Sequence, residues 1–134
     1  GDYPVCTLRS YQEDVHDFLD ALAGGVATER KALERRLGLS QRTHGAVEAT
    51  VADFTNQIRD PDPIQFARNT VEAIEQLCSL DPQTYGPSGL GHVPDPWVLV
   101  IVHSIDGPSL RRPQAQHALS LLAASPRIGM IAST

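Results

Sequence analysis

Hydrophobic residues recur at three- and four-residue steps in several segments of the chain, a spacing that predicts amphipathic helices. The first such stripe consists of Tyr11, Val15, Phe18, Leu19 and Leu22. Ser10 stands before it as a candidate N-cap, and the consecutive glycines Gly24-Gly25 are predicted to end this helix.

Three further stripes predict helices downstream. The second consists of Val47, Val51, Phe54 and Ile58, and the third of Phe66, Thr70, Val71, Ile74 and Leu77. The second ends before two prolines, Pro61 and Pro63, which cannot continue a helix, and the third closes near Asp81-Pro82. The fourth helix is predicted over 113–124, with Pro126 after it.

Two segments carry weaker signals. Residues 28–37 are mostly charged, with Leu33 and Leu37 as their only apolar anchors, and predict a surface helix. Residues 83–96 are rich in glycine and proline, a composition typical of a loop.

The remaining apolar segments predict strands. Residues 97–102 form a continuous apolar run rich in β-branched side chains, which is typical of a strand buried on both faces of a parallel sheet. Residues 128–132 predict a second strand, and the helix at 113–124 between them completes a βαβ unit. The pattern therefore predicts the α/β class, with a parallel sheet flanked by helices.

The composition is that of a folded domain. The chain has 134 residues, of which 41% are hydrophobic and 20% charged, which excludes a disordered chain. Its longest apolar run is far shorter than the roughly 20 residues of a membrane helix. Cys6 and Cys78 have no metal-ligand spacing, so we expect free thiols in a reducing compartment. The turn-like start and the apolar end lead us to expect an excerpt of a longer protein. No basic leader followed by an apolar stretch opens the chain, so we expect no signal peptide.

Charge is unevenly placed within a net charge of -5. Residues 1–96 carry 8 basic and 15 acidic side chains, whereas residues 97–134 carry three arginines against Asp106 alone. This acidity excludes a domain that holds nucleic acid by bulk electrostatics alone, but it leaves open DNA contact within a larger basic assembly.

The most informative motif is the buried strand that leads into Asp106-Gly107. A hydrophobic strand ending in Asp is the Walker B pattern of P-loop ATPases, in which the carboxylate holds nucleotide-bound magnesium. Two partners are missing: Gly107 stands where an active enzyme places Glu, and Lys31, the only lysine, follows no glycine-rich loop. We therefore expect no bound nucleotide and no cofactor. The alternative is that Asp106 is simply a turn or N-cap residue.

No other catalytic or metal motif stands out. The five histidines lack metal-ligand spacing, and no nucleophile elbow surrounds Ser104 or Ser109. Arg111 and Arg112 could grip a phosphate or a partner carboxylate, although adjacent arginines near a helix start are usually just exposed.

The C-terminal third contains two informative segments: residues 100–111, Val-Ile-Val-His-Ser-Ile-Asp-Gly-Pro-Ser-Leu-Arg, and residues 128–133, Ile-Gly-Met-Ile-Ala-Ser. In these segments the chain resembles the origin recognition complex subunit 2 family. The opening residues 1–9, Gly-Asp-Tyr-Pro-Val-Cys-Thr-Leu-Arg, also resemble a segment that precedes an amphipathic helix in that family. Residues 24–96 resemble it least.

This resemblance implies a partial AAA+-like fold of the P-loop NTPase type, with the chain forming the central part of a degenerate domain. We expect a helix-rich insertion at 24–96 and a βαβ core at 97–134. The resemblance further implies that Asp106 and Ser133 are structural, that there is no enzymatic activity, and that the protein is nuclear.

The function implied is a non-catalytic subunit that binds origin DNA within a multi-subunit ring and supports loading of the replicative helicase. The expected partners are the sister subunits, origin DNA, and the helicase with its loader, with no membrane. The candidate DNA contacts are Arg30, Lys31, Arg35, Arg36, Arg42, Arg111 and Arg112. Two alternatives stay open: an active ATPase whose Walker A motif lies upstream of residue 1, and a stand-alone α/β interaction module.

Overall fold

A computed structural model describes residues 4–38, 49–85 and 96–133. Its centre is a parallel sheet of three strands in the order β1-β2-β3: β1 (Val5–Arg9), β2 (Val98–His103) and β3 (Ile128–Ala132). The helices are α1 (Val15–Arg36), α2 (Val51–Ile58), α3 (Pro63–Leu80), α4 (Pro82–Tyr85) and α5 (Pro113–Ala123), with a 3-10 turn at Pro108–Leu110. The predicted α/β class is confirmed.

The strand β1 was not expected from the sequence. It pairs with β2 along its whole length, from Val5 opposite Leu99 to Arg9 opposite His103. Only one of its five side chains, Leu8, is fully buried, so the segment carries little hydrophobic signal of its own. The bounds predicted for β2 and β3 are confirmed to within one residue. The predicted burial of β2 on both faces is wrong for the described residues, because only alternate side chains of this strand are buried.

Helix α1 contradicts three predictions. It continues through Gly24-Gly25 and absorbs the separate helix predicted over 28–37. Two glycines cost a helix only about 1 kcal/mol each, and burial of Val26 and Leu33 beyond them outweighs that cost. Its N-cap is Asp14, not Ser10.

The side chain of Asp14 explains why α1 begins there and not after Ser10. The Asp14 carboxylate accepts a hydrogen bond from the backbone N–H of Asp17 at 2.9 Å. The C-terminal half of α1 is also less exposed than predicted, because Lys31 and Leu33 are buried. Only its end follows the prediction, since Arg35 and Arg36 are exposed.

The other helices follow their predicted patterns over the described residues, outside which Val47 of the second stripe lies. In α2, Thr50 and Asp53 form a reciprocal capping box, and in α3 the N-cap Asp62 is followed by Pro63 at the first position. The short helix α4 occupies the beginning of the predicted loop, whose residues 86–95 lie outside the described part of the chain.

The core lies on one face of the sheet. Val98, Val100 and Val102 alternate with half-buried Leu99 and Ile101, so among the described residues only one face of β2 is fully buried. The buried side chains pack with apolar residues from α1, α3 and α5 in a single cluster. The cluster contains residues from before and after residue 24, which itself lies inside α1. The division of the domain into an insertion at 24–96 and a core at 97–134 stays a prediction.

Both cysteines are free thiols, as predicted. Burial raises the pKa of each thiol to about 11. No helix within the described ranges is long and apolar enough to cross a membrane.

Candidate functional site

The loop that follows β2 is held by a hydrogen-bonded turn. Ser104 has a positive φ of 60°, and its carbonyl accepts hydrogen bonds from the Ser10 hydroxyl and, at 2.7 Å, from the Gly107 N–H. The Ser109 hydroxyl returns a 2.9 Å bond to the Ser10 carbonyl. These contacts tie the carboxyl ends of β1 and β2 together and place Asp106 on the turn.

Gly107 is required at this turn for space. A Cβ at this position would lie 1.8 Å from Ser10 Oγ, 2.7 Å from Ser10 Cβ and 3.0 Å from the Ser104 carbonyl oxygen. Its φ of -67° is available to any residue, so the restriction is the close approach of Ser10. A glutamate at this position would therefore require Ser10, and with it the turn that follows β1, to move.

Asp106 itself is exposed, and its backbone carbonyl accepts a 3.3 Å hydrogen bond from Arg111 Nε. Its carboxylate accepts no hydrogen bond from any residue in the described ranges. Lys31 is committed elsewhere, since its Nζ donates to the Ala49 carbonyl at 2.8 Å. The described residues contain no group of three or more His, Cys, Asp or Glu side chains that could hold a metal ion.

The predicted DNA contacts on α1 are largely engaged within the protein. Arg30 pairs with Glu34 at 3.1 Å and lies over the Phe54 ring, with 5.1 Å from Cζ to the ring centroid. Arg36 lies 3.9 Å from the carboxylates of both Glu29 and Asp81.

Arg35 differs from its neighbours on α1. It is exposed and forms no ion pair with any described residue. Arg42 lies outside the described residues. Of the predicted contacts on α1, only the Arg35 side chain is therefore both exposed and without an ion pair in that part of the chain.

The structure does not bring the two groups of predicted arginines together. Arg112 lines a groove together with Asp17, which lies in the first turn of α1. Arg35 lies 18 residues after Asp17, which is about 27 Å along the helix axis. The two groups therefore lie towards opposite ends of α1.

The groove beside Arg112 is a feature that the sequence did not indicate. Its volume is about 710 Å³, and Pro61 and Pro63 form part of its wall. Asp14 and Asp17 also line it, so it is mainly acidic despite Arg112. Only the folded chain brings these segments side by side, because they come from three separate turns.

Fold and site together define a class of protein: an ATPase-like α/β domain in which the Walker B-like aspartate is followed by a glycine whose Cβ space is occupied. The family model of the origin recognition complex subunit 2 RecA-like domain matches residues 3–134. The chain therefore belongs to the origin recognition complex subunit 2 family, as its resemblance indicated.

A solved structure has a similar fold. The chain is similar to one in "Structure of Drosophila ORC bound to DNA", with a TM-score of 0.53 and 22% sequence identity. The similarity covers 98% of this chain and 52% of that one, so this chain spans about half the length of its structural neighbour. At this identity the likeness concerns the fold. No curated protein matches the sequence.

Proposed function

We propose that the protein is a non-catalytic subunit of an origin recognition complex. In this proposal its RecA-like domain packs beside sister subunits in a ring around origin DNA and supports loading of the replicative helicase in the nucleus. The observation that carries the proposal is the family match over residues 3–134.

The turn at Asp106-Gly107 supports the non-catalytic part. Hydrolysis requires a residue that positions the attacking water, and the position after Asp106 has no room for a side chain while Ser10 stays in place. An active ATPase with an upstream Walker A motif is the less favoured function for this reason.

For DNA contact, the structure favours two of the predicted arginines. Arg35 and Arg112 are both exposed and form neither an ion pair nor a side-chain hydrogen bond with any described residue. Arg111 is also exposed and has no ion pair there, but its Nε donates to the Asp106 carbonyl. Arg30 and Arg36 would first have to release carboxylates, which offsets part of the gain from binding a phosphate.

The test is reconstitution of the complex with the full-length protein. Omitting the subunit should abolish helicase loading, whereas Asp106→Asn should leave both loading and ATP hydrolysis unchanged. The double charge reversal of Arg35 and Arg112 to Glu should weaken origin DNA binding and flatten its salt dependence.

Other results would contradict the proposal. Loss of ATP binding or hydrolysis by this subunit in Asp106→Asn would favour the active ATPase. Assembly and loading that proceed equally well without the subunit would remove the structural role and favour a stand-alone interaction module.

A further inference from the structure

Two polar side chains face the same side of the sheet at the carboxyl ends of β1 and β2. Arg9 and His103 are paired in the strand register, and neighbouring strands lie about 4.8 Å apart, with register partners on a common face. Both residues are exposed. The carboxyl ends of parallel strands are where open α/β sheets present ligand-binding loops.

Beside this pair lies a shallow pocket of about 290 Å³, which we call the carboxyl-edge pocket. It is lined by Arg9, Ser10, Tyr11, Gln12, His103 and Ser104. No carboxylate lines it, whereas Glu13, Asp14 and Asp17 line the neighbouring groove. The pocket is therefore rich in hydrogen-bond donors within an acidic chain.

The charge of Arg9 is available to a ligand. Its guanidinium forms no ion pair within the described residues, unlike those of Arg30 and Arg36. Glu13 binds the backbone N–H of Arg9 at 2.9 Å, so that carboxylate engages the main chain. Tyr11 adds an aromatic ring that is 66% exposed, the largest exposed fraction among the bulky apolar side chains of the described ranges.

We propose that the carboxyl-edge pocket contacts the phosphodiester backbone of DNA, with Arg9 on a phosphate and Tyr11 against the adjoining sugar or base. This inference rests on the proposed function and adds a site to it. Arg, Gln, Ser and Tyr side chains are the usual donors to DNA phosphates, and exposed aromatic rings contact nucleic acid readily. No carboxylate lines the pocket itself, so a phosphate is repelled less there than in the neighbouring groove, which is lined by Glu13, Asp14 and Asp17.

The experiment measures binding of fluorescent origin DNA to the reconstituted complex at several salt concentrations. Arg9→Ala should lower the salt slope of the binding constant by about one, which corresponds to about a fivefold loss at 0.15 M salt relative to 1 M. Glu13→Gln keeps an acceptor for the Arg9 N–H but removes a nearby negative charge, so it should raise the affinity. Tyr11→Ala should weaken binding more than Tyr11→Phe.

The matched control is Arg68→Ala, which removes an exposed arginine of α3. Thermal melting and assembly of each variant establish that the fold is retained. Equal salt slopes for Arg9→Ala and Arg68→Ala would overturn the pocket but leave the proposed function standing. Wild-type complex that binds no DNA would overturn both. If Arg9→Ala keeps normal DNA affinity but loses subunit assembly, the pocket proposal is also overturned, and an acidic protein partner is favoured in place of DNA.

Discussion

At the scale of single residues, one contact between two small side chains governs the turn after β2. Ser10 is 2% exposed, and its hydroxyl and Cβ occupy the space where a side chain at position 107 would begin. The sequence shows that glycine, not glutamate, follows Asp106. The structure adds that a larger residue at position 107 would displace Ser10 or the turn that carries it.

This contact leads to a double-mutant prediction. Gly107→Ala should lower the free energy of unfolding by about 1–3 kcal/mol, because the clash involves Ser10 Cβ and a backbone carbonyl as well as the hydroxyl. Ser10→Gly should restore part of that loss when combined with Gly107→Ala. Urea denaturation of the wild type, the two single mutants and the double mutant measures the coupling.

Gly129→Ala is the control for this cycle, since its Cβ would come closest to the end of the flexible Leu99 side chain, at 2.8 Å, and would meet Pro96 at ordinary contact distances of 3.8 and 3.9 Å. It should cost less than Gly107→Ala. Additive effects of Ser10→Gly and Gly107→Ala would contradict the close contact.

At the scale of elements, α1 shows that buried anchors outweigh local helix breakers. The helix runs for 22 residues across two glycines, because Phe18, Leu22 and Val26 continue one apolar stripe into the core. The length of α1 also separates the Arg35 and Arg112 regions.

The glycines of α1 provide a prediction of opposite sign. A Cβ at Gly24 or Gly25 would meet nothing within 4 Å. Gly24→Ala and Gly25→Ala should therefore each raise the free energy of unfolding by about 0.5–1 kcal/mol through the helix propensity of alanine. Urea denaturation measures the change.

Gly38 supplies the contrasting control, because its φ of 73° disfavours a side chain. Gly38→Ala should be destabilising although it too has open space. A loss of stability in both α1 variants would indicate that the helix is broken between Ala23 and Val26.

At the scale of the whole molecule, β1 connects the start of the chain to a sheet formed mainly by its last third. Its pairing with β2 spans more than ninety residues of sequence, and Leu8 is its only fully buried side chain. Leu8 packs in the same cluster as residues of α1 and α5.

Leu8→Ala should therefore lower the free energy of unfolding by about 2–5 kcal/mol. Val5→Ala, on the same strand but 58% exposed, should cost much less. Thermal or urea unfolding of the two variants makes the comparison. Equal losses would mean that β1 contributes through its backbone pairing and not through its buried side chain.

Local pattern accounts for much of the fold. The apolar run of β2, the stripes of α2, α3 and α5, and the prolines that end helices were all informative because each signal lies within a few neighbouring residues. The segment β1 was missed because a single buried side chain, Leu8, gives no periodic signal, and the strand with which β1 pairs lies more than ninety residues away. The prediction that Gly24-Gly25 ends the first helix was wrong because Val26 and Leu33, beyond the glycines, stabilise α1 only when they are buried in the tertiary structure.

The candidate site likewise has some features that the sequence determines and others that only the tertiary structure determines. The sequence alone determined that Lys31 follows no glycine-rich loop, that Gly107 follows Asp106 and which arginines are available for phosphate contact, since these depend only on residue type and order. Tertiary structure alone decided which arginines are paired, that Ser10 occupies the space beside Gly107, and that Arg9 and His103 meet at the carboxyl-edge pocket. Such pairings depend on how separate elements pack, because ion pairs and close contacts form between residues far apart in the chain.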